Sequence, residues 1–501
     1  MLTFPYYFPF HHNRGSTRIF ILLALLPHLI HAQEPSRLSL EDSIESALRS
    51  NLGLKIEQFD TLNAADDIEI ENADFDPEIF ASAQTGQTSQ KTPQSDSNSR
   101  SYSTGIRKKI RMTGATLSAS TNLSRRNGSS YSNPEETANL TLAITQPLLR
   151  NFGSEITNAA LNRSRSSFRL AELSFRDQLH SLIGQTENAY WDLAYAYAQR
   201  TLSDSSYELA QQLLDETNEK YELGIVTQLE VLQAEANLAS RKDEIITTEQ
   251  LIADQADQLL TLMGNFELET LDQPIPVVSA LPTPSAQKPS FPDAWQRTLD
   301  NNLSAAQKEQ AIVTSEINQL LAKNEARPQL DLELSGSYIG RSSENAKEAY
   351  DDAFGRDGDD WNVALTFNFP IGNRSNKIKV RQAQREVEQT EWELIQLKQE
   401  LLRSLRSNLR TLDTSRERIT AAKLLLELQE QSFVRERSRF EEGLSSFRNI
   451  LEAQRDLDDA RKRFLDTQLN AIKAEITLEQ TQGTLLERHH LEWDALDPLT
   501  P

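Results

Sequence analysis

Residues 221–238 read YELGIVTQLEVLQAEANL, and residues 440–457 repeat the pattern as FEEGLSSFRNILEAQRDL. In both stretches an aromatic residue stands three positions before a glycine. A leucine and an alanine follow that glycine at the eighth and tenth positions. A glycine between two helix-forming runs is typical of the turn between antiparallel helices. The pattern therefore predicts two similar helical hairpins in one chain.

A second pair of similar stretches opens each half of the chain. SLEDSIESALRSNL at 39–52 returns as SFPDAWQRTLDNNL at 290–303. The offset is 251 residues here and 219 for the hairpins, so the first half holds 32 more residues between these landmarks. Most of this insertion lies between Pro77 and Pro147, and an extra hairpin and longer external loops are the two alternatives for it. Two related halves predict an internally duplicated, pseudo-symmetric fold. We expect a first structural repeat over 33–285, a second over 286–485, and a C-terminal tail over 486–501.

The first 32 residues have the pattern of a secretory signal peptide. Arg14 and Arg18 precede an apolar run, Ile19–Ile30, and Ile30-His31-Ala32 resembles a cleavage site. The run is too short to cross a bilayer as a helix. An uncleaved anchor is the alternative. The pattern predicts residues 1–32 as a signal peptide and an exported mature chain.

The composition excludes several classes of site. The chain has no cysteine, so it has no disulfide and no thiolate metal site. Its formal charge is −22, and removal of the two signal-peptide arginines would leave −24. Such acidity disfavours nucleic acid as a partner, because phosphate binding needs Lys and Arg patches. The apolar fraction of 38% is low for a compact domain of this length and indicates an elongated or hollow shape.

No catalytic motif is present in the sequence. The expected mature chain keeps three histidines, His180, His489 and His490. It contains no His-Glu-x-x-His motif, no phosphate-binding glycine loop and no nucleophile elbow. We therefore expect no enzymatic activity, no cofactor and no metal.

Segments with alternating apolar and polar residues predict strands over about 78–146 and 329–369. The alternation is clear at Gln329–Gly340 and Trp361–Phe369, and weaker between 117 and 145. Lipid-embedded β-barrels have this pattern, but so does a half-buried sheet in a soluble protein. From the strands alone both alternatives stay open. Three long polar stretches are expected to be solvated loops: Thr88–Ser103, Arg125–Glu136 and Arg341–Asp360.

Apolar residues three and four apart predict long helices after the strands of each half. We expect them over 154–219, 227–263, 374–437 and 446–484, and shorter helices over 40–51, 53–73, 291–302 and 304–325. A helix of about 64 residues is ~96 Å long. In each half the second short helix and the returning hairpin helix together match the long helix in length. They are therefore predicted to lie end to end beside it.

The strand count has a consequence for assembly. About four strands cannot close a barrel, and open sheet edges are not tolerated in lipid. Three chains would supply about twelve strands, which is within the range of outer-membrane barrels. If the strands enter a membrane, physical reasoning predicts a shared barrel continued by a tube of helices.

The order of helices, strands and hairpins resembles the TolC-like outer-membrane efflux family. The hairpin turns carry this resemblance, together with TQPLLRNFG at 145–153 and its counterpart FPIGN at 369–373. It covers about 39–485. It implies a mainly α-helical homotrimer with a shared outer-membrane β-barrel and a long α-helical barrel of coiled-coil hairpins. It also implies an exit duct for passive transport in a tripartite efflux pump or type I secretion system, working with a periplasmic adaptor and an inner-membrane transporter.

The resemblance further implies roles for individual residues. The adaptor-contacting hairpin tips would be Gly224, Ile225, Val226, Thr227, Gly443, Leu444, Ser445 and Ser446. The periplasmic constriction would be Glu230, Gln233, Asn449 and Glu452, and the strand-helix junctions would be Pro147 and Pro370. Turn geometry alone is the alternative for the glycines, and solvated helix surface is the alternative for the glutamates.

A periplasmic coiled-coil structural or adaptor protein without a membrane barrel is the competing interpretation. It would share the signal peptide and the long helices. It would not need strands with an apolar face, nor a repeat that includes both strands and hairpins.

Overall fold

A computed structural model describes residues 37–91, 94–128, 134–268, 275–283 and 289–491. The predicted signal peptide, residues 1–32, lies outside the described residues. In chain order the described elements are β1 (Arg37–Leu38), α1 (Leu40–Ser50), α2 (Leu52–Ala73), β2 (Glu78–Lys91), β3 (Gln94–Lys109), β4 (Thr116–Gly128), β5 (Glu135–Pro147), α3 (Ser154–Thr157), α4 (Ala159–Glu222), α5 (Gln228–Leu262), β6 (Val277–Val278), α6 (Phe291–Asn301), α7 (Leu303–Glu325), β7 (Gln329–Ser342), α8 (Ala346–Gly355), β8 (Asp359–Asn368), α9 (Arg374–Glu441), α10 (Phe447–Gln482) and α11 (Leu485–Arg488).

Local capping explains where the four short helices begin. Ser39, Asn51, Ser290 and Asn302 precede α1, α2, α6 and α7, and each side-chain oxygen accepts a hydrogen bond from the backbone N–H three residues on. The four distances are 3.0, 3.0, 3.3 and 3.0 Å. Such caps satisfy amide groups that have no partner inside the helix. The predicted bounds of these helices are therefore correct to within one or two residues.

The long helices form a single layer with the shorter ones. Helix α4 has 64 residues and packs against α2 and α5 on one side and against α7 and α10 on the other. Helix α9, with 68 residues, packs against α7 and α10. The order across the layer is α2 with α5, then α4, then α7 with α10, then α9. This order leaves the column of α2 and α5 at one edge of the layer and α9 at the other.

The shorter helices lie end to end, as the residue counts predicted. Asn51, at the start of α2, donates through Nδ2 to the carbonyl oxygen of Leu262, the last residue of α5, at 2.9 Å. Asn302, at the start of α7, donates in the same way to Thr481 near the end of α10, at 3.3 Å. Each column beside a long helix is therefore two helices joined by an asparagine side chain.

A buried core lies where α4, α5 and α10 meet. Tyr190, Leu193, Leu259 and Ile476 are fully buried there. The Tyr190 hydroxyl donates to the Leu38 carbonyl oxygen at 3.0 Å, next to the short parallel pair β1–β6. Burial of large side chains at this level holds the two halves of the chain together.

The sheet has six strands in the order β2-β3-β4-β5-β7-β8, and every neighbouring pair is antiparallel. The prediction of about four strands is therefore wrong by one hairpin. Residues 88–103, predicted as a loop, lie mostly in β2 and β3, which pair from Glu78 opposite Arg107 to Lys91 opposite Gln94. Backbone hydrogen bonds hold this hairpin, so its polar side chains carry no alternation that would reveal it.

The two other predicted loops also differ from the structure. The first, 125–136, contains the end of β4 and the start of β5, and residues 129–133 lie outside the described part. The second, 341–360, contains helix α8. Ala349 and Ala353 of α8 are buried against Ala138, and a Cβ on Gly340 would lie 1.9 Å from the Ala349 carbonyl oxygen. This close approach requires glycine and holds α8 on the sheet.

The two faces of the sheet differ in chemistry. One face carries a row of residues in register across all six strands: Ile79, Ile106, Ala119, Leu142, Gly336 and Trp361. On β8 this face continues with Val363, Leu365 and Phe367, all exposed. The opposite face is lined mainly by small polar side chains: Ser82, Ser103, Asn122, Thr141, Ser337 and Asn362. Helix α8 packs on part of the apolar face, against Ala138 and Leu140. Beyond that patch the apolar side chains of this face are exposed, and the other side of the sheet presents hydroxyl and amide groups.

No helix among the described residues combines the length and the apolar character needed to cross a bilayer.

Candidate functional site

The two hairpin tips share one backbone turn. Gly224 and Gly443 have φ of +74° and +75°, the left-handed region that glycine enters without steric cost. The N–H of Ile225 donates to the Lys220 carbonyl oxygen at 2.9 Å, and the N–H of Leu444 donates to that of Arg439 at 2.7 Å. This is the hydrogen-bond pattern of a Schellman C-cap. A Cβ on either glycine would meet nothing within 4 Å, so backbone conformation alone requires glycine there.

Apolar side chains are exposed at both tips. Leu223 is 74% exposed, and Ile225 and Leu444 are each 66% exposed. Val226 and Ser445 are half-buried. An apolar side chain at the end of a long helical hairpin has no core to enter. The tips are therefore suited to packing against another protein.

The helices that leave the tips begin with capping residues. Thr227 donates from its N–H to Glu230 Oε2 at 2.7 Å. Ser446 accepts at Oγ from the Asn449 N–H at 3.4 Å. The Glu230 carboxylate is therefore engaged in holding its own turn.

The predicted constriction residues differ in what they contact. Glu230 is half-buried, whereas Gln233, Asn449 and Glu452 are exposed. Asn449 donates through Nδ2 to Ser445 Oγ at 3.2 Å. Of the two acids, Glu452 thus has the side chain that is more open to solvent.

Contacts between the hairpins hold the two tips together at one end of the molecule. Lys220 donates through Nζ to the Phe440 carbonyl oxygen at 3.0 Å and lies 3.9 Å from the centre of the Phe440 ring. Arg437 pairs with Glu216 at 2.8 Å. Phe440 is itself buried, although its counterpart Tyr221 is exposed. Sequence reasoning missed Lys220, Arg437 and Glu216, because partners more than 200 positions apart leave no local pattern.

Pro147 and Pro370 lie where strands lead into helices. Pro147 is the last residue of β5, and the next N–H, of Leu148, donates to the Leu330 carbonyl oxygen at 2.7 Å. Pro370 lies between β8 and α9, and its carbonyl oxygen accepts from the Asn373 N–H at 3.1 Å. A proline fits both places because neither position needs its missing donor.

Three asparagines complete these junctions. Two of them lie within the quoted junction motifs at 145–153 and 369–373, but no role was predicted for any of the three. Asn151 and Asn373 have positive φ, at 65° and 45°. Asn324, at the end of α7, accepts from the Asn151 N–H at 2.9 Å and donates to Asn151 Oδ1 at 2.8 Å. Asn373 donates to the Ala326 carbonyl oxygen at 2.8 Å. The start of α9 and the strand-to-helix turn after β5 are thereby both tied to the end of α7.

Within the described residues there is no group of three or more His, Asp or Glu side chains that could hold a metal ion. Two of the histidines lie in or beside the packed helices. His180 is buried in α4, and His489 lies 3.4 Å from Glu187, which also pairs with Arg488 at 3.2 Å. Helix α11 crosses the predicted boundary at 485–486 and belongs to the packed helices.

Comparison with known proteins gives matches over most of the chain. The profile of the family described as outer membrane efflux protein matches residues 114–265 and 295–484. Outer membrane protein TolC of Escherichia coli (strain K12) is 23% identical over 347 residues, and the alignment spans 66% of this chain and 66% of that relative.

Solved structures share the fold at low sequence identity. The CmeC outer membrane channel of Campylobacter jejuni has a TM-score of 0.67 at 16% identity, covering 89% of this chain and 85% of that one. The outer membrane protein VceC of Vibrio cholerae has a TM-score of 0.67 at 15% identity, covering 89% and 96%. The helical layer and sheet described above therefore have the architecture of outer-membrane channels.

Proposed function

The chain belongs to the outer membrane efflux protein family, and from that premise we propose that it is the exit duct of a tripartite efflux pump or type I secretion system. It is an outer-membrane protein whose helices extend into the periplasm. As a duct it would carry its cargo passively, while the inner-membrane transporter supplies the energy.

The observation that carries this proposal is the chemistry of the six-stranded sheet. Its exposed apolar face, with Trp361 74% exposed, suits contact with lipid, and its small polar face suits a water-filled lumen. In a soluble coiled-coil protein, an exposed apolar sheet face would lie in water without a partner to bury it. The competing interpretation as a periplasmic structural protein therefore has no supporting feature in the sheet.

We further propose a homotrimer. Strands β2 and β8 are the edges of the sheet, and lipid does not tolerate open edges. The strands and helices of one chain are too few to form a closed ring, so other copies must complete both the barrel and the helical tube. Equivalent copies arranged in a ring close with cyclic symmetry.

The hairpin tips are the proposed docking point for the periplasmic adaptor. The exposed apolar side chains of Leu223, Ile225 and Leu444 would pack against it, and the glycine turns would set their direction. Lys220 and Arg437 would keep the two tips at a fixed spacing.

The proposed constriction consists of rings of Glu230 and Glu452, with Gln233 and Asn449 beside them. Threefold repetition would place six carboxylates around the periplasmic entrance. Rings of acids favour cations. Because Glu452 is the more exposed acid, we expect it to make the larger contribution.

The similar element order in the two halves of the chain also supports our proposal that they are copies of one ancestral unit. In each half, two short helices lead to strands, and these lead to a long helix and a returning helix.

Planar-bilayer conductance of the detergent-extracted protein, with its oligomeric mass measured alongside, tests the proposed function. We expect trimers that conduct with a preference for cations. Glu452→Gln should lower that preference more than Glu230→Gln does. Glu400→Gln, on an exposed acid in the middle of α9, is the matched control and should leave it unchanged.

Two results would argue against the duct. A protein that needs no detergent, forms no trimer and does not conduct would favour the periplasmic coiled-coil protein. Trimeric channels with unchanged selectivity in both variants would keep the duct but remove the glutamate rings from it.

A further inference from the structure

Each edge of the sheet continues into one edge of the helical layer. Strand β2 follows α2 directly through 74–77, and β8 leads into α9 through 369–373. Helix α2 lies at one edge of the layer and α9 at the other. One side of the chain is thus made of β2 and α2, and the opposite side of β8 and α9.

The barrel ends of these two edge helices carry opposite charges. From Arg374 to Arg385, α9 has five bases and no acid, although the whole chain has a net charge of −22. From Asp66 to Asp74, at the barrel end of α2, there are five acids and no base. None of the five bases has an ion-pair partner in the part of the chain that the structure describes. They are Arg374, Lys377, Lys379, Arg381 and Arg385, and all are exposed.

Apolar side chains continue the same faces further from the sheet. On α2, Ile56 and Phe59 are 63% and 65% exposed, on the face opposite the buried Thr61. On α9, Trp392 is 69% exposed, on the face opposite the buried Ala383. Exposed large apolar side chains in a row on one helix face indicate a missing partner helix.

The two faces match in level as well as in chemistry. Helix α2 runs toward the sheet and α9 runs away from it, so the two would pack antiparallel. Asp74 and Arg374 are both at the sheet end, and Ile56 and Trp392 each lie 18 residues further on, ~27 Å along the helix. The acidic side chains of α2 would therefore face the basic side chains of α9 near the sheet. Further from the sheet, the apolar side chains of the two helices would face each other.

Strand direction permits the same pairing. Strand β2 leads away from the helices and β8 leads back toward them, so β8 of one copy and β2 of the next would be antiparallel, like every other pair in the sheet. Strand β3 pairs with β4 from Lys109 opposite Thr116 to Ser97 opposite Gly128, so the β2–β3 hairpin is an integral part of the sheet.

We propose that a second copy of this chain docks with its β2 and α2 against β8 and α9 of the first, so that all six strands of each chain enter the barrel wall. In the proposed trimer the barrel then has eighteen strands. On the apolar face of β2 only Ile79, Ala81 and Ala83 would meet lipid. The polar remainder, from Thr85 onward, would extend beyond the bilayer.

This inference rests on the proposed trimeric duct, and the alternative within that duct is a barrel of twelve strands. There, β4 of one copy would pair with β8 of the next, and the β2–β3 hairpin would lie outside the wall. The two arrangements put different residues beside β8.

Disulfide cross-linking of the full-length protein in outer membranes distinguishes them, because the chain has no cysteine of its own. Ala81→Cys on β2 is combined in turn with Val363→Cys, Leu365→Cys and Phe367→Cys on β8, which covers neighbouring registers on the same face. Within one chain these positions are five strands apart, about 24 Å, so a disulfide can form only between copies.

We expect covalent dimers and trimers from at least one of these pairs on non-reducing gels. Ser82→Cys, one residue away on the other face of β2, is the matched control and should cross-link at least tenfold less. Ala119→Cys on β4, combined with the same three partners, reports the twelve-strand alternative. Ile70→Cys on α2 combined with Ile378→Cys on α9 tests whether these helices of neighbouring copies dock, independently of which strands pair.

Cross-links from Ala119 but not from Ala81 would overturn the eighteen-strand barrel and leave the trimeric duct intact. Cross-links of Ile70 to Ile378 without either strand pair would also overturn it, since β2 would not reach β8. No cross-link at any level, in a protein that is monomeric by mass, would reject both this inference and the proposed trimer.

Discussion

His180 of α4 is a buried histidine whose pKa falls when the chain folds. Burial, followed by the nearby positive charge of Arg176, lowers its pKa to about 4. Its Nδ1 atom has no hydrogen-bond partner among the described residues. The imidazole is therefore neutral in the folded protein at pH values where an exposed histidine is charged.

This lowered pKa predicts a loss of stability in mild acid. At pH 7 His180 is neutral in the folded chain and mostly neutral in the unfolded chain. Below the ordinary pKa of about 6.5, His180 becomes protonated in the unfolded chain, whereas in the folded chain it stays neutral down to about pH 4. The free energy of unfolding therefore falls between these two pH values. By pH 5 the loss amounts to about 2 kcal/mol. Thermal melts at pH 7 and pH 5 should show a smaller decrease in His180→Gln than in the wild type. Equal decreases would mean that His180 does not carry this effect.

A cluster of polar side chains joins helices α4, α5 and α10. Arg241 of α5, 7% exposed, pairs with Asp458 of α10 at 2.9 Å. Ser206 of α4 donates to the other Asp458 oxygen at 2.8 Å. Burial raises the pKa of Asp458, and the Arg241 charge acts in the opposite direction. Helix α4 is thus tied to the returning helices of both hairpins at one point.

Loss of one partner in this cluster should cost more than loss of the pair. Arg241→Met leaves the Asp458 carboxylate buried without its nearest counter-ion, and we expect the free energy of unfolding to fall by about 3 kcal/mol. The double variant Arg241→Met/Asp458→Leu should recover most of that loss in urea titrations. Arg403→Met, on a side chain 80% exposed, is the control and should change stability by less than about 0.5 kcal/mol. If the double variant is as unstable as the single one, the cost comes from packing and not from the unpaired charge.

Folding and assembly are separable at the scale of the whole molecule. The buried core lies inside one chain, whereas the apolar stripes of α2 and α9 are exposed in it. A change in a stripe should therefore leave the chain folded and affect only the proposed contact between copies.

Phe59→Lys places a charge in the stripe of α2. We expect unchanged helical circular dichroism and a loss of about 2 kcal/mol per contact between copies, roughly a thirtyfold weaker association. Light scattering in detergent should then show monomers at concentrations where the wild type forms the proposed trimer. Phe59→Leu keeps an apolar contact and should remain trimeric. Trimers of Phe59→Lys with wild-type stability would remove α2 from the interface.

The sequence by itself determined the elements whose signals are local. The glycine turns at 224 and 443 and the apolar residues three and four apart predicted the long helices closely, because turn conformation and periodicity act within a few residues. Their lengths also predicted the end-to-end columns, since helix rise is constant.

Only the tertiary structure decided the features that depend on distant partners. The outer part of the β2–β3 hairpin, residues 88–103, is polar on both faces except for Tyr102. It is held by backbone pairing of β3 with β2 and β4, so its residues resembled a loop. Helix α8 is held by close approach to Gly340. The Lys220–Phe440 contact and the Asn151–Asn324 bonds join positions 220 and 173 residues apart. Which strands form the sheet, and which faces stay open at its edges, follow from how the chain packs on itself, and no short stretch of sequence contains that information.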